Sequence, residues 1–217
     1  MNNSNQIAFD FDKYKKYPFY ALPNPEVINV PDAEMVFVTN FYGVDESKVI
    51  YDELLNDIEW KQDWIKYYGK KLPLPRLTAW YGDRGTNYKY SGIGMTPQMW
   101  TSRLKEIKEK IEEFTNTQFN SVLLNLYRDG KDSVSWHQDN EKELGPNPTI
   151  ASLSFGQVRK FQFRHKFKKD VDKFELLLKD GSLLIMKGAT QEFWQHQIPR
   201  TSKLLNPRIN LTFRYIY

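Results

Sequence analysis

The chain contains no cysteine and only three histidines among its 217 residues. Without cysteine there can be no disulfide, iron–sulfur cluster or thiolate-bound zinc, so any metal must be held by histidine and carboxylate. No eighteen apolar residues run together, which leaves no candidate for a membrane-spanning helix and no expected membrane partner. The opening stretch MNNSNQIAFDFDKYKKYPFYALPNP lacks the apolar segment of a secretion signal. An intracellular compartment is expected, cytoplasmic in a bacterium and nuclear in a eukaryote. Neither an internal repeat nor a low-complexity tract is present.

What is abundant is aromatic, at 15%. Tryptophan and tyrosine serve flat ligands and apolar cores equally well. Lys and Arg number 31 against 27 Asp and Glu, a net charge of +4 that leans only mildly toward polyanionic partners.

Residues 1–32 are polar and proline-punctuated and read as an extended N-terminal arm, with 33–217 as a single domain. MVFVTNFYG is expected as a first strand. DESKVIYDELLNDIEW follows as an amphipathic helix with Val49, Ile50, Leu54, Leu55 and Ile58 at helical spacing. Residues 60–93, rich in Trp, Tyr, Gly, Pro and Lys, read as short hairpins and loops. In TPQMWTSRLKEIKEKIEEF, Thr96 can cap a helix and Pro97 suits its first position. Trp100, Leu104, Ile107, Ile111 and Phe114 would line one face. From Asn120 onward the pattern is of strands: SVLLNLYR, TIASLSFG, KFQFRH, FELLLK, GSLLIMKG and RINLTFRYIY, with Asp180-Gly181 fitting a hairpin turn. Helices followed by many short strands predict an α+β domain built on a sandwich or barrel.

The stretch SVSWHQDNE places His137 and Asp139 two apart on an extended segment, where both point the same way. Two histidines and one carboxylate on one face of a metal are the ligand set of oxygen-activating iron(II) enzymes. An isolated H-x-D is weak evidence, because a surface histidine beside an acid looks the same. The second histidine would be His196, expected in a turn before Ile198-Pro199, or His165. The latter shares a strand face with Phe161 and Phe163 and reads as packing.

The last strand raises the odds. Period two places Arg208, Asn210, Thr212 and Arg214 on one face, with Ile209, Leu211, Phe213 and Tyr215 on the other. The two arginine Cα atoms would be roughly 20 Å apart at ~3.3 Å per residue. Side chains leaning inward could still hold the two ends of a small dicarboxylate, with Asn125 and Tyr127 adding polar contacts. Alone, this face would read as solvent-facing; beside His137 and Asp139, 2-oxoglutarate is the natural dicarboxylate.

NLYRDGKDSVSWHQDNE, IASLSFGQVRKFQFRH, FWQHQIP and PRINLTFR, in this order and spacing, resemble the AlkB-type Fe(II)/2-oxoglutarate dioxygenases that repair alkylated nucleic acid. PRLTAWYGDRGTNYKYSG extends the resemblance to the eukaryotic DNA-repair branch, from about residue 35 onward. The resemblance implies a double-stranded β-helix (jelly roll) with flanking helices and a nucleotide-recognition lid, at 60–93. It implies Fe(II) on His137, Asp139 and His196, and 2-oxoglutarate on Asn125, Tyr127, Arg208 and Arg214, supported by Asn210 and Thr212. With O2 as second co-substrate, the implied reaction removes methyl groups from 1-methyladenine and 3-methylcytosine, releasing formaldehyde, succinate and CO2.

The implied substrate side is more diffuse. Tyr90 would stack on a cationic base, with Tyr88 and Ser91 beside it and Glu141 offering a carboxylate. Asn140 stands where some relatives carry an acid, which weakens the negative field. Tyr68 at the tip of KYYGKK would wedge into a duplex, with Lys70, Lys71 and Arg76 meeting phosphates. The expected partner is alkylated DNA and the expected state a monomer. Alternatives are an RNA or single-strand-only demethylase, a protein or small-molecule hydroxylase, a binding module with a vestigial iron site, and a zinc hydrolase.

Overall fold

Apolar and polar residues alternate along IASLSFG, RKFQFRH, WQHQI and RINLTFR, and this period of two decides which layer each side chain of those strands enters. The computed structural model describes residues 25–67, 69–86, 88–90, 93–95 and 97–217, of the backbone alone at 66–67, 88–90 and 93–95. Strands β1 (Pro25–Ile28) and β2 (Glu34–Val38) pair antiparallel ahead of helix α1 (Val44–Asp57). A ribbon of β3 (Trp64–Tyr67) and β4 (Lys70–Pro73) precedes β5 (Leu77–Gly82). A second ribbon joins β6 (Tyr88–Tyr90) and β7 (Ile93–Met95), and α2 (Ser102–Thr115) follows. Then come β8 (Ser121–Tyr127), β9 (Val134–His137), β10 (Ile150–Gly156), β11 (Arg159–His165) and β12 (Phe174–Leu178). β13 (Ser182–Lys187), the short α3 (Thr190–Phe193), β14 (Trp194–Ile198) and β15 (Arg208–Arg214) complete the chain.

A seven-stranded sheet runs in the order β1-β2-β13-β10-β15-β8-β5, and a four-stranded sheet in the order β12-β11-β14-β9. Two apolar clusters fix the layers. Ile209, Leu211 and Phe213 of β15 join Val122, Leu124 and Leu126 of β8, Ile50 and Leu54 of α1, and Leu104, Ile107 and Ile111 of α2 in one. The other gathers Phe37, Leu184 and Met186 of the large sheet with Phe161, Phe163 and Trp194 of the small one. Truncating one such buried leucine to alanine costs about 2–5 kcal/mol. Among the described residues, no helix is long and apolar enough to cross a membrane.

Several sequence expectations are corrected. β1 lies within the stretch read as an extended arm, yet it pairs along its length with β2, so residues from 25 onward belong to the large sheet; residues 1–24 are outside the description. β5 lies inside the 60–93 region but forms an edge of the large sheet on β8. The second helix begins at Ser102, where the Thr101 hydroxyl accepts the Leu104 N–H at 3.2 Å. It cannot start earlier because Gln98 is held extended beside β5, donating to Trp80 O at 2.9 Å and accepting from Gly82 N at 3.0 Å. Trp100 thus precedes the helix, though it still stacks on Phe213; Thr96 is outside the described residues. On α1, Val49 points outward, 53% exposed.

Asp180-Gly181 is a turn but not a hairpin: it passes the chain from β12 in the small sheet to β13 in the large one. Gly181 sits at φ +70, tight against Ser47 and Tyr42, and Asp180 Oδ1 accepts the Gly156 N–H at 2.8 Å.

Candidate metal and anion site

His137 at the end of β9 and His196 in β14 are directly opposed in the small sheet, their ring centroids 4.3 Å apart. Asp139 follows β9 closely enough that one ligand atom from each of the three lies within 4.8 Å of the others. His196, expected in a turn, lies in strand β14 with its ring against Phe161 and Phe163, 3% exposed. His165 is elsewhere, its Nε2 3.0 Å from Asp32 Oδ2 and its Nδ1 accepting the Lys168 N–H at 2.8 Å.

Local bonds prepare each group. His137 Nδ1 is 2.8 Å from Ser135 O. Only an N–H can bond a carbonyl, so Nδ1 carries a proton and Nε2 is the nitrogen left to bind a metal. Arg214 Nη2 donates to Asp139 Oδ1 at 2.6 Å, and the Asp139 N–H donates to Gln191 Oε1 at 2.9 Å. Asp139 Oδ2 faces His196 Nε2 at 3.9 Å. Burial alone would raise the Asp139 carboxyl, but Arg214, His196 and His137 hold it below the ordinary 3.8. Burial, reinforced by His137, pushes the His196 imidazole down to about 3, so it is neutral at physiological pH. Two histidines and an ionised carboxylate are the donor set that suits non-haem Fe(II).

Beside these groups lies a cavity open to solvent, with about 480 Å³ of space counting its open mouth. Its wall is the polar face of β15, with Asn125 and Tyr127 of β8 and Ser152 of β10. Arg208 is 1% exposed and its Nη2 donates to Ser154 Oγ at 2.9 Å. Its Nε and Nη1 are buried without a hydrogen-bond partner. Burial pushes this guanidinium down to about 10. A buried cation with two idle donors is costly unless an anion joins it, so a carboxylate fits here. Asn210 and Thr212 are committed along the wall: Asn210 Nδ2 donates to Ser152 Oγ at 2.9 Å, and Thr212 Oγ1 to Asn210 Oδ1 at 3.1 Å. Arg214, expected to share the dicarboxylate, is engaged with Asp139.

Arg76 is also corrected. Expected on a phosphate-facing surface, it is 4% exposed and lines the cavity, its Nε donating to Asn125 Oδ1 at 2.7 Å. The cause is β5: Leu77 pairs with Leu126, which turns the preceding residue into the cleft. Asn140 is exposed, and Glu141 buries an Oε2 without a partner. Tyr68 and Ser91 lie outside the described residues, as do the side chains of Tyr88 and Tyr90. Lys70 and Lys71 are exposed on the β3–β4 ribbon.

Sequence reasoning missed Gln191, Ser152 and Ser154. The serines alternate with Leu153 and Phe155 in SLSFG, the same signal that exposed β15. Gln191 reaches Asp139 from α3, and no local pattern announces it.

A two-histidine, one-carboxylate centre and a buried guanidinium at one mouth of a double-sheet fold define an iron-dependent oxygenase site, and the chain belongs to the 2OG-Fe(II) oxygenase superfamily, whose family model matches residues 34–214. Fe(II), 2-oxoglutarate and O2 are the cofactor and co-substrates of that family. The chain is 45% identical over 185 residues to human alpha-ketoglutarate-dependent dioxygenase alkB homolog 3, covering 82% of this chain and 64% of that relative. It thus spans about 64% of the length of that relative. With the human DNA oxidative demethylase ALKBH2 it shares 39% identity over 187 residues, 82% of this chain and 72% of the relative. Among solved structures, "The structure of OsALKBH1" superposes with a TM-score of 0.58 at 19% identity, covering 88% of this chain and all of that one. That likeness speaks for the fold alone.

Proposed function

We propose that this chain removes methyl groups oxidatively from N-alkylated bases in DNA, 1-methyladenine and 3-methylcytosine, releasing formaldehyde, succinate and CO2. The observation that carries the reading is the pairing, in one cavity, of the His137–Asp139–His196 centre with a buried Arg208 that has two idle donors. Similarity to a relative named as a DNA oxidative demethylase supplies the substrate class.

In this reading His137, Asp139 and His196 hold Fe(II). Arg208, Asn125 and Tyr127 hold 2-oxoglutarate, with Arg214, Asn210 and Thr212 behind them. When bound, the metal and co-substrate supply the oxidising power that hydroxylates an N-methyl carbon. The protein's own part is placement. Arg214 and Gln191 fix Asp139 from two sides, and the Ser135 carbonyl fixes the His137 ring. Leu123, Phe161, Met186 and Ile198 give the cavity apolar walls that exclude water.

The unpartnered Glu141 Oε2 is assigned to a cationic base, with Asn140 at its edge. The β3–β4 and β6–β7 ribbons are assigned as the nucleotide-recognition lid, with Tyr88 and Tyr90 in the second; Tyr68 and Ser91 are assigned to the same role from the sequence alone. Lys70 and Lys71 meet phosphates while a duplex base is flipped out. The enzyme acts as a monomer.

Anaerobic loading with Fe(II) and 2-oxoglutarate, then oxygen, tests this on methylated oligonucleotides as single strands, duplexes and RNA. Mass spectrometry should show loss of one methyl from DNA, dependent on iron and absent in His137→Ala. Succinate produced without demethylation of any strand would refute the substrate class.

A further inference from the structure

Arg76 belongs to no element that carries the metal site, yet it is buried in the cavity wall and bonded to Asn125. We propose that Arg76 is a positioning residue that fixes the orientation of the Asn125 side-chain amide and so makes Asn125 a donor to a carboxylate of 2-oxoglutarate. The inference rests on the reading of the cavity given above.

An asparagine amide has one oxygen and one NH2, and the two orientations related by a flip fill nearly the same space. Which end faces an anion therefore depends on what holds the other end. A guanidinium has donors only. With Arg76 Nε at 2.7 Å, the facing atom of Asn125 must be Oδ1, and Nδ2 turns toward the cavity that Asn125 lines. The flipped amide would set NH2 against guanidinium and aim an oxygen at the carboxylate, repulsive at both ends.

Arg76 is itself held firmly. Its Nη1 donates to Ser133 O at 3.2 Å, and the Ser133 N–H donates to Pro75 O at 2.8 Å. Asn210, opposite Asn125 in the ladder, directs its own amide to Ser152 and Leu153 and does not compete for it.

The test uses the whole chain with Mn(II) in place of iron, without oxygen. Calorimetry gives 2-oxoglutarate affinity and electron paramagnetic resonance gives Mn(II) affinity for wild type, Arg76→Met, Arg76→Lys, Asn125→Ala and the Arg76→Met/Asn125→Ala double variant. Arg76→Met should weaken 2-oxoglutarate about tenfold, the loss of one hydrogen bond to a charged group, with Mn(II) affinity unchanged. Arg76→Lys should restore part of it, and Arg76→Met should add nothing in the Asn125→Ala background. Unchanged affinity in Arg76→Met, or additive losses in the double variant, overturns the proposal. Failure of wild type to bind 2-oxoglutarate overturns the reading of the cavity instead. If Arg76→Met does not fold, nuclear magnetic resonance of the wild-type Zn(II) form decides. The Asn125 Nδ2 protons should shift on adding 2-oxoglutarate, and their failure to shift overturns the proposal.

Discussion

Replacing Arg208 by methionine should stabilise the ligand-free protein while abolishing its use for the co-substrate. In the native wall Arg208 donates to Ser154 Oγ at 2.9 Å, lies over the Tyr127 ring at 5.2 Å, and buries Nε and Nη1 without a hydrogen-bond partner. Loss of the Ser154 bond costs about 1.5–3 kcal/mol, and relief of each unpaired donor returns about 1–3 kcal/mol. Methionine has a similar reach and refills the apolar volume with little strain. A buried charge exchanged for a hydrophobe is commonly neutral or stabilising by about 1–4 kcal/mol. A net gain near 1–2 kcal/mol is expected, which raises Tm by roughly 2–8 °C in a chain of this size. Co-substrate binding should move the other way. Two charge-assisted bonds of about 1.5–3 kcal/mol each correspond to a loss of more than 100-fold. Thermal unfolding of the metal-free variant and calorimetric titration of its Mn(II) form read the two effects separately. A fall in Tm with 2-oxoglutarate affinity retained would refute the argument, because Arg208 would then be a structural cation and not an anion receptor.

Two further outcomes follow from the same contacts. Gln191→Leu removes the acceptor for the Asp139 N–H, and Mn(II) affinity should fall about 10–100-fold, as for other groups that orient a metal ligand; unchanged affinity would show that Arg214 alone suffices. Asp132 is pushed up by burial but held below its ordinary 3.8 by the bonds from Arg128, at 2.7 Å to the guanidinium Nε and 2.9 Å to the backbone N–H. A carboxyl depressed in the folded state stabilises above its unfolded value and loses that contribution as pH falls through the folded value. Asp132→Asn should therefore lower Tm at neutral pH and flatten the decline on acidification; a parallel decline in both proteins would contradict this.

Much of this was legible because strands write their two faces in alternate letters. PRINLTFR separates Arg208, Asn210, Thr212 and Arg214 from Ile209, Leu211 and Phe213, and the structure sends the first set to the cavity and the second to the helices. His137 and Asp139 were legible because their spacing is local. The errors arose where a residue's neighbour is distant in sequence. β1 and β5 are short and weakly patterned, and each exists because a partner strand pairs with it, β2 for one and β8 for the other. Arg76 looked like a surface cation because a loop rich in lysine and proline surrounds it in sequence. It is buried because the strand that follows it begins at the sheet edge.

The division of labour along β15 also fixes which substitutions the protein can absorb. Ile209, Leu211 and Phe213 are fully buried against α2 and its neighbours, so shortening them removes stability without touching the cavity. Arg208 does the reverse: it carries unpaired donors, a cost the fold alone would shed by losing it, whereas Arg214 neutralises the buried Asp139, which its loss would leave as an unpaired charge. That cost is offset by apolar burial elsewhere, part of it on the opposite face of the same sheet. Helices α1 and α2 therefore serve the site although none of their residues lines the cavity: their packing on the outer face lets the inner face keep two guanidinium groups out of water.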